Sequence, residues 1–201
     1  SHDRKQIAFY NDKSGSMELY VMDAVPGAKQ RQVGSGDIPK SLRAGFCWTH
    51  DDKDIIFAKD NGGDEQHNLW RINMETGVAE QLTDNPKAQE YPTAAAPDNK
   101  TLLVLSNLHG QINVYTFNLE SKEYTQLTHH DNPTHTATFS ADGQQIAYVT
   151  NESDNLHNQD IYLMNADGSN NRRIIQTELG AQDTVSDWSA DGRYLAVGTD
   201  H

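Results

Sequence analysis

The chain has 201 residues, enough to bury a core as one domain. Its 29 acidic and 16 basic residues give a formal charge of −13, a field that repels nucleic acid and anionic membranes, so neither is expected as a partner. No apolar run reaches the roughly 18 residues of a membrane helix, no signal-peptide core is visible, and the single cysteine rules out an internal disulfide.

The chain opens on Ser1-His2-Asp3-Arg4-Lys5 and then the apolar run Ile7-Ala8-Phe9. A polar loop follows, then a second run, Leu19-Tyr20-Val21-Met22, and a third ending at Gln32-Val33. The polar stretch Val33 to Pro39 leads to Gly45-Phe46-Cys47-Trp48, and then the opening string returns as Thr49-His50-Asp51-Asp52-Lys53. The same order recurs from Ile55-Ile56-Phe57, through Leu69-Trp70-Arg71-Ile72 and Gln81-Leu82-Thr83, to Ala96-Pro97-Asp98-Asn99-Lys100. It recurs again from Leu102-Leu103-Val104, through Val114 to Phe117 and Gln126-Leu127-Thr128, to Ser140-Ala141-Asp142-Gly143-Gln144. The fourth round holds Ile146-Ala147-Tyr148, Ile161 to Met164 and Arg173-Ile174. It ends on Ser189-Ala190-Asp191-Gly192-Arg193, after which Leu195-Ala196-Val197 begins a fifth.

The repeats begin near residues 1, 49, 96, 140 and 189, with spacings of 48, 47, 44 and 49. Their runs are short, rich in β-branched and aromatic residues and bounded by turn formers, which reads as strands. No sustained period of 3.6 is present, so helices should be few. Asp142-Gly143 and Asp191-Gly192 suit tight turns that need positive φ, and Asn or Asp substitutes there more easily than other residues. The recurring Asp3, Asp51, Asp98, Asp142 and Asp191 are expected to accept backbone amide hydrogen bonds in Asx-type turns. Four strands per unit of about 40–50 residues mark a β-propeller blade. The expected fold is therefore all-β, a partial β-propeller of about four blades of four antiparallel strands, an arc of a larger ring. Residues 1–201 are expected to form a single propeller segment with no catalytic domain.

Two stretches carry a family resemblance. Trp188 to Ala196 (Trp-Ser-x-Asp-Gly-x-x-Leu-Ala) and Asp160 to Gly168 (Asp-Ile-Tyr-Leu-Met-Asn-Ala-Asp-Gly) resemble the WD40-like propeller repeats of TolB. Such repeats also build the amino-terminal propeller of prolyl-oligopeptidase-family serine peptidases. Asp60 to Trp70, with its Gly63-Asp64-Glu65 and Leu69-Trp70, resembles a segment of the acylaminoacyl-peptidase branch, as does Tyr148 to Glu152 followed by Asp160-Ile161-Tyr162. The resemblance implies a non-catalytic lid that limits access to a separate hydrolase domain. That domain would carry a G-x-S-x-G elbow, and no such string occurs here, so no catalytic residue carries over.

Several constellations admit both a chemical and a structural reading. Asp60, Asp64 and Glu65 could hold a substrate amine by charge-assisted hydrogen bonds, or could bind backbone amides or an arginine of the next blade; the structural role is the favoured one. Repeat four has a similar loop with Glu152 and Asp154. His129, His130 and His135, with Asp131, have the donor types of a zinc or manganese site. The other repeats do not echo these histidines, so a connecting loop without metal is expected. Asn165 to Ser169 mimics the start of a calcium loop, but the twelfth position is Gln176, and a hairpin turn fits better. Cys47 and His50 are three apart on one strand, which puts them on opposite faces, so no thiol–imidazole pair is expected. Trp48, Phe139 and Trp188 recur before the motif and read as core.

The sequence thus points to a propeller segment of a prolyl-oligopeptidase-like serine peptidase, acting as substrate gate and domain interface without a cofactor. A TolB-like protein-binding scaffold is the alternative, and a propeller lyase a third reading. The expected partners are peptide substrate or the hydrolase domain of the parent chain, plus self-association through the terminal blades. The compartment stays open between cytoplasm and bacterial periplasm.

Overall fold

The computed structural model describes residues 1–34, 36, 45–60, 62–151, 158–175 and 182–199. Among these residues there are seventeen strands and no helix, as the missing 3.6 period predicts. The first sheet holds β1 (Gln6–Asn11), β2 (Glu18–Asp23) and β3 (Arg31–Val33). The second holds β4 (Phe46–Trp48), β5 (Asp54–Asp60), β6 (His67–Asn73) and β7 (Ala79–Gln81). The third holds β8 (Glu90–Ala95), β9 (Thr101–Ser106), β10 (Asn113–Asn118) and β11 (Tyr124–Gln126). The fourth holds β12 (Thr134–Phe139), β13 (Gln145–Thr150), β14 (Asp160–Asn165) and β15 (Arg172–Ile175), and the fifth β16 (Thr184–Trp188) and β17 (Leu195–Gly198). In each sheet neighbours in sequence are neighbours in space, and the pairs β1–β2, β5–β6 and β13–β14 run antiparallel in unbroken register.

The chain forms two compact units, Ser1–Pro92 and Thr93–His201. In the first, the face of Leu19, Val21 and Val33 packs on Ile55, Phe57, Ile72 and Met74, with Tyr10, Phe46, Trp48 and Trp70 at its margin. In the second, Ala147, Val149, Ile161 and Leu163 pack on Val185, with Trp188 and Leu195 alongside. Sheets stack face to face because strands with apolar residues on both faces cannot be covered by one neighbour.

From its second copy on, the repeated motif closes the hairpin between the last strand of one repeat and the first strand of the next (β4–β5, β8–β9, β12–β13 and β16–β17). In the fourth copy the Ser140 amide donates to the Gln145 carbonyl at 2.8 Å, and the Gly143 amide to the Ser140 carbonyl at 2.8 Å. The Ser140 hydroxyl donates to Asp142 Oδ1 at 2.7 Å and accepts from the Gln145 amide at 2.9 Å. Asp142 Oδ1 also accepts the Gln144 amide at 3.0 Å. The same wiring recurs at Ser1 with Asp3, Thr49 with Asp51 and Ser189 with Asp191. The third copy has Ala96, with no hydroxyl; there the Thr101 hydroxyl donates to Asp98 Oδ2 at 2.7 Å, and Asp98 Oδ1 accepts the Lys100 and Thr101 amides at 2.8 Å. The fourth motif position is left-handed in every copy: Arg4, Asp52, Asn99, Gly143 and Gly192 have φ of 61°, 59°, 57°, 71° and 68°.

Candidate functional site

In the first unit the β5–β6 loop meets the segment leading into β8. Asp60 ends β5 and stands opposite His67 in the ladder, so the loop between them is short and pinned at its base. Asp64 Oδ1 accepts the Gln66 amide at 3.0 Å. Glu65 is left-handed, with φ of 59°, and its carbonyl accepts Gln89 Nε2 at 3.2 Å, which ties the loop to the start of β8. Its carboxylate is exposed. Asp60, Asp64 and Glu65 thus belong to one loop, which the Glu65 backbone carbonyl ties to the neighbouring segment.

Beneath the loop lie polar residues that the hydrophobic pattern did not single out. Glu90 heads β8 and is fully buried; its carboxylate accepts the Thr83 hydroxyl at 2.5 Å and Asn85 Nδ2 at 2.6 Å. Thr83 Oγ1 in turn accepts the Leu69 amide at 2.9 Å, and Asn68 Oδ1 accepts the Asn85 amide at 2.6 Å. His67 is buried, its ring lies 5.5 Å from that of Tyr91, and its Nδ1 has no partner. Burial, with the Glu65 charge second, raises the Tyr91 phenol above its ordinary value.

The second unit repeats part of this clasp. Thr128 Oγ1 accepts the Val114 amide at 2.9 Å and donates to Asn113 Oδ1 at 2.8 Å; Asn113 Oδ1 also accepts the His130 amide at 2.8 Å. Glu18, Asn68, Asn113 and Asp160, at or beside the start of the second strand of each unit of repeat, are all buried and polar. Their signal in the sequence is an acid or amide directly before Leu19, Leu69, Val114 and Ile161. Glu18 accepts the Gly36 amide at 2.9 Å, and Asp160 pairs with Arg173 at 3.0 Å.

The histidines of this unit take separate partners. His130 Nε2 meets the Tyr148 hydroxyl at 3.0 Å, Tyr148 meets Asn171, and the Tyr148 and Tyr162 rings stack at 5.3 Å. His135 bonds the buried Asn151 carboxamide, and His129 is exposed. Among the described residues no group of three or more His, Cys, Asp or Glu side chains is placed to hold a metal ion. Asn165 to Ser169 forms a turn in which the Gly168 amide donates to the Asn165 carbonyl at 2.9 Å. Glu152, Asp154 and Gln176 lie outside the described residues, as does most of the Val33 to Pro39 connection.

Cys47 and His50 face different surroundings. Cys47 sits opposite Ile56, and burial pushes its thiol up to about 12. The His50 ring stacks on His2 with centroids 4.5 Å apart.

The family description TolB beta propeller domain matches residues 74–201. The dipeptidyl aminopeptidase BIII of Pseudoxanthomonas mexicana is 27% identical over 108 residues, 53% of this chain and 15% of its own length. The Tol-Pal system protein TolB of Francisella tularensis subsp. holarctica (strain LVS) is 23% identical over 204 residues, 99% of this chain and 45% of its own length. The chain therefore spans less than half of either relative. A solved structure of putative TolB from Agrobacterium tumefaciens superposes with a TM-score of 0.77 at 17% identity, over 99% of this chain and 72% of that one. That likeness gives the fold: these sheets are propeller blades.

Proposed function

The chain belongs to the TolB β-propeller family, and from that premise we propose that it is the non-catalytic propeller segment of a prolyl-oligopeptidase-like serine peptidase, a substrate gate and domain interface. The propeller is a scaffold, and function sits on its loops. The observation that supports the peptidase reading most is the 108-residue match to a dipeptidyl aminopeptidase, 15% of whose length it covers. The loop of Asp60, Asp64 and Glu65 is the face offered to a peptide or to a hydrolase domain. Its rigid base, set by Glu90, Thr83 and Asn85, suits a rim that must keep its shape while a partner passes or docks.

The test is peptide hydrolysis by the full parent protein, with and without residues 1–201. The gate reading expects serine-inhibitor-sensitive cleavage confined to short peptides, and longer substrates accepted once the segment is removed. A parent without hydrolase activity would overturn it. The second reading, a TolB-like protein-binding scaffold, is favoured by the match across 99% of this chain. It expects no hydrolysis and a stable complex with a protein partner.

A further inference from the structure

We infer that the His2 and His50 rings, with the Asp52 carboxylate, form an acid-released latch between the first two motif turns. The two histidines stand at the same place in their motifs, and their rings stack with centroids 4.5 Å apart at 27°. Asp52 Oδ1 accepts the His2 amide at 2.6 Å and Oδ2 the Asp3 amide at 2.9 Å, so one carboxylate spans two successive amides of the first turn. Each side is fixed within its own turn. The Asp52 amide donates to the Thr49 carbonyl at 3.0 Å, and the Ser1 hydroxyl accepts the Gln6 amide at 2.9 Å. The joint therefore lies between two rigid turns. The second unit holds a matching contact without histidine: Pro97, the second position of the third motif, lies against Gly143, the fourth position of the fourth. The second positions of the last three motifs are Pro97, Ala141 and Ala190, so only the first junction carries two titratable rings.

Two neutral imidazoles stack without charge repulsion, whereas two imidazolium rings at this spacing repel. The groups facing His2 divide in their effect. Partial burial against the second turn disfavours its proton most, and the charges of His50 and of the Ser1 ammonium act the same way. The Trp48 backbone and the Asp52 carboxylate favour the proton. The balance holds His2 below its ordinary 6.5. The other charges of the two turns are engaged elsewhere or face solvent: Lys5 pairs with Asp3 and Lys53 with Asp51, each at 3.1 Å, and Arg4 is exposed. A value lower in the closed state than in the open one means that opening takes up a proton. The latch is therefore whole above about pH 6.5 and is lost as pH falls through the lowered His2 value. Release is local, because the apolar faces do not titrate: Leu19, Val21 and Val33 stay packed on Ile55 and Phe57. Acid thus frees the motif-turn end of the first sheet while the two sheets remain stacked.

The experiment is an NMR titration of the isotope-labelled 201-residue chain at low salt, from about pH 8 down to about pH 5.5. At the upper end the two histidine rings should show a mutual nuclear Overhauser effect. The Asp3 amide should lie downfield, as a donor to a carboxylate does. Both signals should be lost as His2 titrates, with a shared midpoint below 6.5. His50→Gln should raise the His2 midpoint, because it removes a like charge, and Asp52→Asn should lower it, because it removes the opposite one. Asn tolerates the left-handed backbone of position 52, so the second turn keeps its shape. The Gly143 amide, in the junction without histidine, should stay in place through the titration, and it reports that each variant is folded. An Asp3 amide that remains downfield while His2 titrates would overturn the latch. So would a His2 midpoint that either substitution leaves in place. Movement of Gly143 with the same midpoint would show unfolding of the whole chain, and would overturn it as well.

Discussion

The aspartates of the repeated motif accept hydrogen bonds that hold them ionised. Asp3 is held down at about 2 by the Lys5 amide first, then by the Ser1 hydroxyl and Lys5. The Ser140 and Ser189 hydroxyls lower Asp142 and Asp191 in the same way. At Asp51 and Asp98 burial pulls the other way, and the hydrogen bonds from Thr49 and Lys53, or from Lys100 and Thr101, outweigh it. A folded value below the ordinary 3.8 means the unfolded chain binds protons more readily. Stability from these turns is therefore whole above about pH 4 and lost as pH falls toward 2. Asp142→Asn should lower the urea midpoint at pH 6, and the gap to the native chain should narrow as pH falls below the ordinary carboxylate range. A gap that widens in acid would contradict the wiring. Cys47 makes a second residue-scale prediction. With its thiol pushed to about 12, it should react with a disulfide reagent at pH 8 only after urea unfolds the chain.

Strands β6 and β10 are clasped by threonines that lie beyond β7 and β11. Thr83→Val removes the acceptor of the Leu69 amide and a donor to Glu90, and should cost about 2–4 kcal/mol in chemical denaturation. Thr128→Val should behave alike through Val114 and Asn113. A loss below about 0.5 kcal/mol in both would show that the clasp is not a stabilising element. The motif turns and strand runs were legible in the sequence because each is written within about a dozen adjacent residues. Turn chemistry at Asp142-Gly143 and apolar runs such as Ile55 to Phe57 are local signals. The buried polar residues were not legible. Glu90 reads as a charged strand start, and its partners stand five and seven residues away, with Asn68 further still. Only folding reveals that three segments converge there. The candidate site was half visible for the same reason: the acidic rim is a sequence cluster, whereas His67 and Tyr91 meet although they are 24 positions apart.

At the scale of the whole molecule, the first-strand positions differ in cover. Ile55, Leu102 and Ile146 are fully buried, while Ile7, their counterpart on β1, is 45% exposed. Ile55 stands opposite Trp48 and Ile146 opposite Phe139, whereas among the described residues β1 pairs with β2 alone. Tyr194, just before β17, and Val197, within it, are also exposed. Unpaired edges with apolar residues invite a second chain. Light scattering should show association that grows with concentration and with salt, since charge opposes it, and Ile7→Lys should reduce it. A monomer across the micromolar range would refute this. The purified chain is also expected not to turn over a chromogenic amino-acyl ester, because its sequence holds no G-x-S-x-G string. Hydrolysis abolished by a serine-directed inhibitor would contradict that.

The contact at Gly143 bears on how such a molecule can be assembled from copies of itself. A Cβ there would lie 2.7 Å from Pro97 Cδ, at a φ of 71° that already disfavours side chains. The matching Asp52 does the opposite: its carboxylate accepts the His2 and Asp3 amides at 2.6 and 2.9 Å. The repeats are therefore not interchangeable cassettes. A second-copy turn grafted into the fourth place would drive its Asp side chain into the proline ring, whereas a glycine turn grafted into the second place would lose only hydrogen bonds. Duplication and shuffling of these units is directional, tolerant one way and obstructed the other.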